Sequence, residues 1–315
     1  MKTLAPGKAI LSGEFAVLHG APAISVATDR CVRAWIGQGT ALSPFLVAAL
    51  DRVAQVIEAS GQRAPELKQS GHVGVDSTAL YDGAKKLGLG SSAAVTVAVV
   101  GAALHKYGWS FDDRQKIFEI ADEAHAAAQG TRGSGVDVAT SVWGGAIRFQ
   151  RKGGAVDITP VELPANVQLT FVFTGNSAST PELLGRVKAL AESQPKLHEA
   201  AIARLVAGAY AFDAAVTERD APSLLRAGNE YHAAMAHLGE CAGCDIVTQE
   251  HATLSTLARR HAGAAKPSGA GGGDLGVAFT VGDEATRALH QDLISAGLSP
   301  LAVSAPAPGL RMESP

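Results

Sequence analysis

The sequence is poor in cysteine and in net charge, and each shortage excludes a class of protein. Three cysteines in 315 residues cannot build a disulfide framework, which favours a reducing, cytoplasmic location. Lysine and arginine number 27 against 30 aspartates and glutamates, a formal charge of −3. Sequence-independent nucleic-acid binding needs a strong basic surplus. We therefore expect no nucleic-acid partner.

Long apolar runs are also missing. The longest covers residues 93–104, which is 12 residues, and it contains Thr96 and Gly101. A bilayer-spanning helix needs roughly 20 apolar residues. The N-terminus enters a strand-like stretch without the apolar core of a signal peptide. We expect no membrane partner, and either a monomer or a homodimer that acts on small molecules.

Apolar residues are nonetheless plentiful, at 47%, so the chain has the material for buried cores and is not disordered. Its length suggests about two domains, and strand and helix patterns alternate irregularly, which indicates an α+β fold. The pattern changes around residues 160–166. We place an N-terminal domain at 1–163 and a C-terminal domain at 164–315. We also expect a turn at 5–8, a last strand at 301–304 and a frayed tail beyond Ala305.

Glycine is abundant, with 35 residues, and the most informative cluster is at 88–94. Gly88 and Gly90 are followed by Ser91 and Ser92, and then by an apolar helix. The start of a helix presents free N–H groups and a positive dipole end, which suit a phosphate. The serine hydroxyls are possible ligands for phosphate or Mg²⁺. A plain glycine turn with a serine cap is the alternative, but no lysine follows as in a P-loop.

Two further segments combine glycine with a charged side chain. Lys8 follows a Pro-Gly pair, with Glu14 close behind, and is either a surface lysine or a cation that offsets phosphate charge. Asp137 follows Gly133-Ser134-Gly135 at the start of a helical stretch. It is either an ordinary carboxylate of a first helical turn or a group that orients or deprotonates an attacking hydroxyl.

The C-terminal half carries two more candidate segments. Three consecutive glycines within 269–274 separate two strands, and their entropic cost favours close contact with a ligand or with the other domain. A Ser/Thr-rich turn, 174–180, leads into a helix with Lys188 two turns on. Such a helix start is either an anion site or an ordinary cap.

Together these segments resemble the motifs of the GHMP kinase superfamily, which transfers phosphate from ATP to small metabolites. APGKAILSGEFAVLHG resembles its first motif, KLGLGSSAAV its second, ATP-binding motif, and KPSGAGGGD its third. The resemblance spans nearly the whole chain. It implies a two-domain α+β fold, with an N-terminal domain like ribosomal protein S5 domain 2, a ferredoxin-like C-terminal domain and a cleft between them.

Within the superfamily, the sequence resembles the phosphomevalonate kinase family. The GAGGGD motif, Lys85-Lys86 before the second motif, the segment 128–139 around Asp137, and Asn176 to Thr180 followed by Leu184 carry this resemblance. The mevalonate kinase family is the main alternative. Its metal-binding Glu lies eleven residues before the Asp, where this chain has Ala126, and the nearest acids are Asp122 and Glu123. The second Mg²⁺ ligand therefore stays open.

The resemblance implies the following roles, with phosphomevalonate and ATP as substrates and Mg²⁺ as cofactor. Lys8 and Asp137 are the catalytic residues, with Asp137 either a base or an orienting group, and Ser92 is the metal ligand. The nucleotide-binding residues are Lys86, Gly88, Leu89, Gly90, Ser91, Ser92 and Ala93. The substrate-binding residues are Glu14, Ser134, Gly135, Ser177, Ser179, Thr180, Lys188, Ser268, Gly269, Ala270 and Gly271.

The sequence leaves two other classes of protein as alternatives. One is a non-catalytic member of the superfamily that senses a ligand, although the joint presence of Lys8, Ser92 and Asp137 argues against it. The other is an oxidoreductase that binds a dinucleotide at the Gly-x-Gly turn. Against this second reading, alanine replaces the third glycine of the dinucleotide fingerprint, at Ala93.

Overall fold

A computed structural model describes residues 1–39, 43–68, 71–175 and 180–313. In chain order the strands are β1 (Thr3–Ser12), β2 (Ala23–Ile36), β3 (Val73–Asp76), β4 (Tyr81–Asp82), β5 (Lys85–Lys86), β6 (Ala146–Lys152), β7 (Ala155–Val161), β8 (Val167–Phe173), β9 (Ala264–Ser268), β10 (Leu275–Val281) and β11 (Arg311–Met312). The helices are α1 (Pro44–Ala59), α2 (Ser91–Lys106), α3 (Arg114–Gln129), α4 (Val136–Trp143), α5 (Thr180–Ser193), α6 (Pro195–Thr217), α7 (Ala221–Ala242), α8 (Gln249–Arg260) and α9 (Asp283–Ser295).

The first half of the chain builds an antiparallel sheet in the order β11-β1-β2-β6-β7, with β3 added to β2. Helices α2 and α4 pack against β1 and β2, and α1 and α3 pack on α2. This central position explains why α2 is apolar on almost every face, since nearly all of its residues from Ala93 to Leu104 are buried. The glycine cluster at 88–90 thus leads into the most enclosed helix of this half.

The second half contains an antiparallel sheet in the order β8-β10-β9. Successive side chains of β10 face opposite sides, as a strand requires. Phe279 packs with Phe212 of α6, whereas Ala278 joins a separate apolar cluster with residues of α8 and α9. The mixed α+β architecture expected from the sequence is confirmed. The domain boundary at 163/164 stays a prediction.

Helix α6 is long and apolar enough to cross a membrane by length and composition alone. In the structure it packs between α5 and α7, and Leu205, Ala209 and Phe212 are buried there. A core helix has the same composition. The expected lack of a membrane partner stays a prediction.

The Pro-Gly-Lys segment, expected to be a turn, lies inside β1. Its pairing with β2 shifts register between Pro6 and Lys8, which is a β-bulge rather than a chain reversal. The bulge frees the Pro6 carbonyl to accept a hydrogen bond from Ser141 Oγ of α4. It also lets the Lys8 amide donate to the Leu89 carbonyl at 2.9 Å. The irregularity therefore joins the first glycine motif to the second.

The end of the chain also differs from expectation. Residues 301–304 form no strand, and residues 306–313 of the tail are packed rather than frayed. Arg311 and Met312 pair with β1, and the buried Leu310 packs over Gly101 of α2. A short Pro- and Gly-rich segment gives no periodic signal, so only the long-range contacts reveal this packing.

We expect Leu310→Ala to lower the free energy of unfolding by about 3 kcal/mol, because it leaves a cavity against α2. Urea denaturation measures the change. Ile294→Ala removes an apolar side chain that is 66% exposed and serves as the control, with an expected effect below about 0.5 kcal/mol. Equal effects of the two substitutions would show that the tail does not contribute to the core.

Candidate active site

A cleft of about 870 Å³ lies where the motif loops of the two halves meet. The structure brings most of the sequence-predicted site residues together on its walls: Lys8, Glu14, Lys86, Gly88, Leu89, Gly90, Ser91, Ser92, Ser134, Gly135, Asp137, Ser268, Gly269, Ala270 and Gly271. Residues that were predicted from separate motifs thus line one cleft. Their individual roles stay predictions.

A few predicted site residues are placed elsewhere. Ala93 is buried in α2 and is not on the cleft wall. Lys188 is also absent from the wall; its side chain is 78% exposed, with Nζ 3.9 Å from Glu192 on the next turn of α5. Ser177 and Ser179 lie outside the described residues. Thr180 is the first residue of α5, and its side chain is likewise outside the description.

Lys8 and Asp137 face each other across the cleft. Lys8 Nζ lies 3.7 Å from Asp137 Oδ1, and their side chains are 7% and 38% exposed. Asp137 sits in the first turn of α4, the helix that holds the bulge of β1. The lysine is therefore fixed by the protein, while the carboxylate keeps an open side toward the cleft.

Gly90 explains how Lys8 reaches this position. A Cβ added at residue 90 would lie 2.9 Å from Lys8 Cε and 3.0 Å from its Cγ. Gly90 also has φ +73°, in the left-handed region that glycine adopts without strain. The lysine chain therefore runs directly over the backbone of the glycine loop, immediately before α2 begins.

Sequence reasoning missed His125, which lies behind the second motif. Its Nε2 is 3.2 Å from Ser92 Oγ, and its ring stacks on Phe45 at 5.2 Å between centroids. Burial lowers the pKa of His125 below its ordinary value, which favours the neutral ring. The available signal was weak: His125 and Gln129 are four residues apart on α3, hence on one face, and both line the cleft.

Two arginines meet one buried carboxylate at the wall of the cleft. Asp122 Oδ2 lies 3.1 Å from Arg132 Nη1 and 3.0 Å from Arg151 Nη2. Glu123, the other acid near the position of Ala126, pairs with Arg52 at 2.5 Å. Both acids considered as a second Mg²⁺ ligand thus have cationic partners.

Glu14 forms a buried ion pair that joins the two halves of the chain. Its Oε1 is 2.5 Å from Lys266 Nζ of β9 and accepts a hydrogen bond from the Gly269 amide at 3.2 Å. The Lys266 side chain is 0% exposed, and burial lowers its pKa even though Glu14 opposes the shift. The Ile10 amide donates to Ser268 Oγ at 2.9 Å in the same junction. Glu14 and Ser268, predicted to bind substrate, thus both bond across the junction.

Three comparisons place these features among known proteins. Residues 51–145 match the family described as GHMP kinases N terminal domain. A phosphomevalonate kinase of Streptomyces sp. (strain CL190) is 29% identical, over 94% of this chain and 95% of its own length. A mevalonate kinase of Thermococcus sibiricus is also 29% identical, over 98% and 97%.

The fold comparisons agree. A Streptococcus pneumoniae phosphomevalonate kinase solved with phosphomevalonate and AMPPNP superposes with a TM-score of 0.81 at 20% identity, covering 97% of this chain and 99% of that one. An L. major mevalonate kinase solved with R-mevalonate gives 0.70 at 20% identity, covering 98% and 97%. At this identity such likenesses show the fold alone. Fold, motif match and relatives together define an ATP-dependent kinase. Residues 51–145 match the GHMP kinase N-terminal domain, and the chain as a whole is similar to phosphomevalonate and mevalonate kinases.

Removing one member of the Glu14–Lys266 pair leaves a buried charge without a partner. We expect Lys266→Met to lower the free energy of unfolding by about 3–5 kcal/mol, measured by urea denaturation. The double variant Glu14→Gln/Lys266→Met should recover most of that loss, since it removes both charges. A double variant as unstable as the sum of the two single variants would contradict the pair.

Two histidines near Lys266, the buried His251 and the half-buried His232, predict acid sensitivity. Burial, aided by the positive charges of Arg259 and Lys266, lowers the pKa of His232 from 6.5 to about 4. Burial also lowers the pKa of His251 to about 4. Between pH 6.5 and 4 the unfolded chain binds these protons and the folded chain does not. The free energy of unfolding therefore decreases as the pH falls through that window, by about 1.4 kcal/mol per pH unit for each histidine.

Urea denaturation between pH 7 and pH 4.5 tests this expectation. His232→Gln should reduce the slope of stability against pH by about 1.4 kcal/mol per unit relative to the parent chain. The exposed His72 provides the matched control, and His72→Gln should leave the slope unchanged. Identical slopes for all three proteins would show that His232 is protonated in the folded state as readily as in the unfolded one.

Proposed function

We propose that this protein is a phosphomevalonate kinase, which transfers the γ-phosphoryl group of ATP to 5-phosphomevalonate and yields 5-diphosphomevalonate and ADP. The observation that carries the proposal is the Lys8–Asp137 pair beside the glycine loop that opens α2. The Streptomyces relative supports the substrate. Ala126, at the position of the metal-binding Glu of mevalonate kinases, argues against mevalonate.

The nucleotide phosphates bind, in this proposal, on the loop Gly88–Ser92 at the start of α2. Helix N-termini offer backbone donors to anions, and Lys8 adds a fixed positive charge next to them. Mg²⁺ prefers oxygen ligands and usually keeps substrate phosphates and water in its shell. Ser92 Oγ and the Asp137 carboxylate fit such a site, because Asp122 and Glu123 are engaged by arginines. Mg²⁺ would neutralise phosphate charge.

His125 acts through Ser92. In the tautomer that carries its proton on Nδ1, the neutral ring accepts a hydrogen bond from the Ser92 hydroxyl at Nε2, which leaves the lone pairs of the Ser92 oxygen available to a ligand. Stacking on Phe45 holds the ring plane. His125 is thus a positioning residue in this proposal, not a catalytic one.

The reaction needs positioning more than base catalysis. An oxygen of the acceptor phosphate forms the new bond to the γ-phosphorus, and the bond to the β,γ-bridging oxygen breaks, so that ADP leaves. The acceptor phosphate is already largely ionised at pH 7, so little is gained by removing a proton. Lys8 stabilises the charge on the transferred group, and Asp137 holds Lys8 and orients the acceptor.

An ADP-release assay across acceptors tests the proposed function. We expect turnover with 5-phosphomevalonate, and far less with mevalonate, 5-diphosphomevalonate and homoserine. Preference for mevalonate would make the protein a mevalonate kinase. No ADP with any acceptor would favour a ligand-sensing protein.

Lys8→Met should lower kcat at least 100-fold, because it removes the fixed charge beside the transferred phosphoryl group. Binding of a non-hydrolysable ATP analogue should weaken much less, since the backbone donors remain. Lys85→Met is the matched control, as Lys85 is exposed and lies off the cleft wall. Near-parental turnover by Lys8→Met would exclude this role for Lys8.

A further inference from the structure

The acceptor in the proposed reaction already carries a phosphate, so its site needs a cation besides Lys8. The sequence predicted Lys188 for this task, but that residue is not on the cleft wall, and its Nζ lies 3.9 Å from Glu192. Among the described residues on the cleft wall, the lysines and arginines are Lys8, Lys86 and Arg132. Lys8 already faces Asp137, and Lys86 lies two residues before Gly88 on the nucleotide side.

Arg132 also lies on the cleft wall, in the loop between α3 and α4. This loop also carries Ser134 and leads to Asp137. The Arg132 side chain is 51% exposed, although one end is fixed to the buried Asp122. Its Nε and Nη2 make no hydrogen bond to any residue that the structure describes. Guanidinium groups with free parallel donors bind phosphate in a bidentate manner.

The cluster that holds Arg132 is built for a surplus of positive charge. One carboxylate, Asp122, faces two guanidinium groups, so the set carries a net charge of about +1. Arg151 is only 20% exposed, and its Nε also donates to the Ser134 carbonyl at 3.2 Å. Asp122 and Arg151 thus hold the loop in place through Arg132 and the Ser134 carbonyl. The surplus charge is presented to the cleft by Arg132.

Gly135 lets the loop between α3 and α4 pack closely on the Asp122–Arg151 pair. A Cβ at residue 135 would lie 2.7 Å from Asp122 Oδ1 and 2.8 Å from Arg151 Nη2. The backbone therefore packs directly on the buried carboxylate, two residues before Asp137. A phosphate held by Arg132 would lie on the same loop as the residue that orients the acceptor.

We infer that Arg132, held by Asp122 and Arg151, binds the phosphate of the acceptor and makes the site selective for a phosphorylated acceptor over its alcohol. The inference rests on the proposed function and names the residue that recognises its substrate. Lys188 has no part in this recognition.

Binding measurements on the full-length protein test the inference. Calorimetry gives the Kd for 5-phosphomevalonate without nucleotide, and the Kd for a non-hydrolysable ATP analogue. We expect Arg132→Gln to raise the first Kd about 30-fold, which corresponds to about 2 kcal/mol, and to leave the second within twofold. Arg132→Lys keeps the charge but loses the planar fork, so an intermediate loss is expected.

Two further variants sharpen the outcome. Arg287→Gln removes an exposed arginine of α9 and should change neither Kd. Lys188→Gln should also leave the Kd for 5-phosphomevalonate unchanged. A loss in Lys188→Gln without a loss in Arg132→Gln would assign the phosphate to α5 and overturn the inference. Equal loss of both ligands in Arg132→Gln would reduce Arg132 to a structural role.

The failure of the inference is separable from that of the proposed function. A parent enzyme that releases ADP with mevalonate and not with 5-phosphomevalonate refutes the proposed function, and the inference with it. A parent enzyme that turns over 5-phosphomevalonate, with an unchanged Kd in Arg132→Gln, refutes the inference alone.

Discussion

The buried Glu14–Lys266 pair is the interaction on which the cleft depends. It connects the segment after β1 to β9, and the Gly269 amide shares the same carboxylate oxygen. Two charges removed from water are costly, and their attraction offsets that cost only when the geometry is good and further hydrogen bonds are made. Lys266 meets this condition through the Pro267 carbonyl at 2.6 Å as well as Glu14. The first and third motifs are therefore joined by a bond that tolerates little displacement.

The second constraint is the close approach of Lys8 to the glycine loop. The β-bulge at Gly7 turns the Lys8 amide toward Leu89, and the side chain then crosses Gly90. Backbone donors, the start of α2 and a few placed cations therefore meet at one point. This explains how a chain with a net charge of −3 is suited to the two anionic substrates that we propose for it. Local fields in a cleft are set by the nearest groups, not by net charge.

Much of the fold could be predicted from local signals. A serine followed by proline is typical of a helix start, and α1 begins at Pro44 after Ser43. The Ser43 hydroxyl accepts a hydrogen bond from the Leu46 amide at 3.3 Å. The turn expected at Pro6–Lys8 was wrong, because a bulge and a turn use the same residue types and differ only in what pairs across them. The packed tail was missed for a similar reason: Leu310 meets Gly101 only in three dimensions.

The site shows the same division. The glycine motifs could be assigned to one site from the sequence, because glycine marks positions where the backbone adopts a positive φ or approaches another group closely. The cluster of Asp122, Arg132 and Arg151 could not, since its members come from α3, a loop and β6 and meet only through the sheet. Lys188 shows the limit of that reasoning. A lysine two turns into a helix can bind an anion in the cleft only if its side chain reaches the cleft, and Lys188 is 78% exposed and not on the cleft wall. Its role stays a prediction.

The charges in the cleft also bear on how Asp137 works. Asp137 lies 3.7 Å from the Lys8 ammonium and keeps an exposed side. A carboxylate in this position can hold the lysine in place. The phosphorylated acceptor that we propose is already an anion and needs no base. The remaining requirement is to bind its phosphate. In the function that we propose, the cluster of Asp122, Arg132 and Arg151, more than Asp137, therefore makes the site selective for a phosphorylated acceptor over an alcohol.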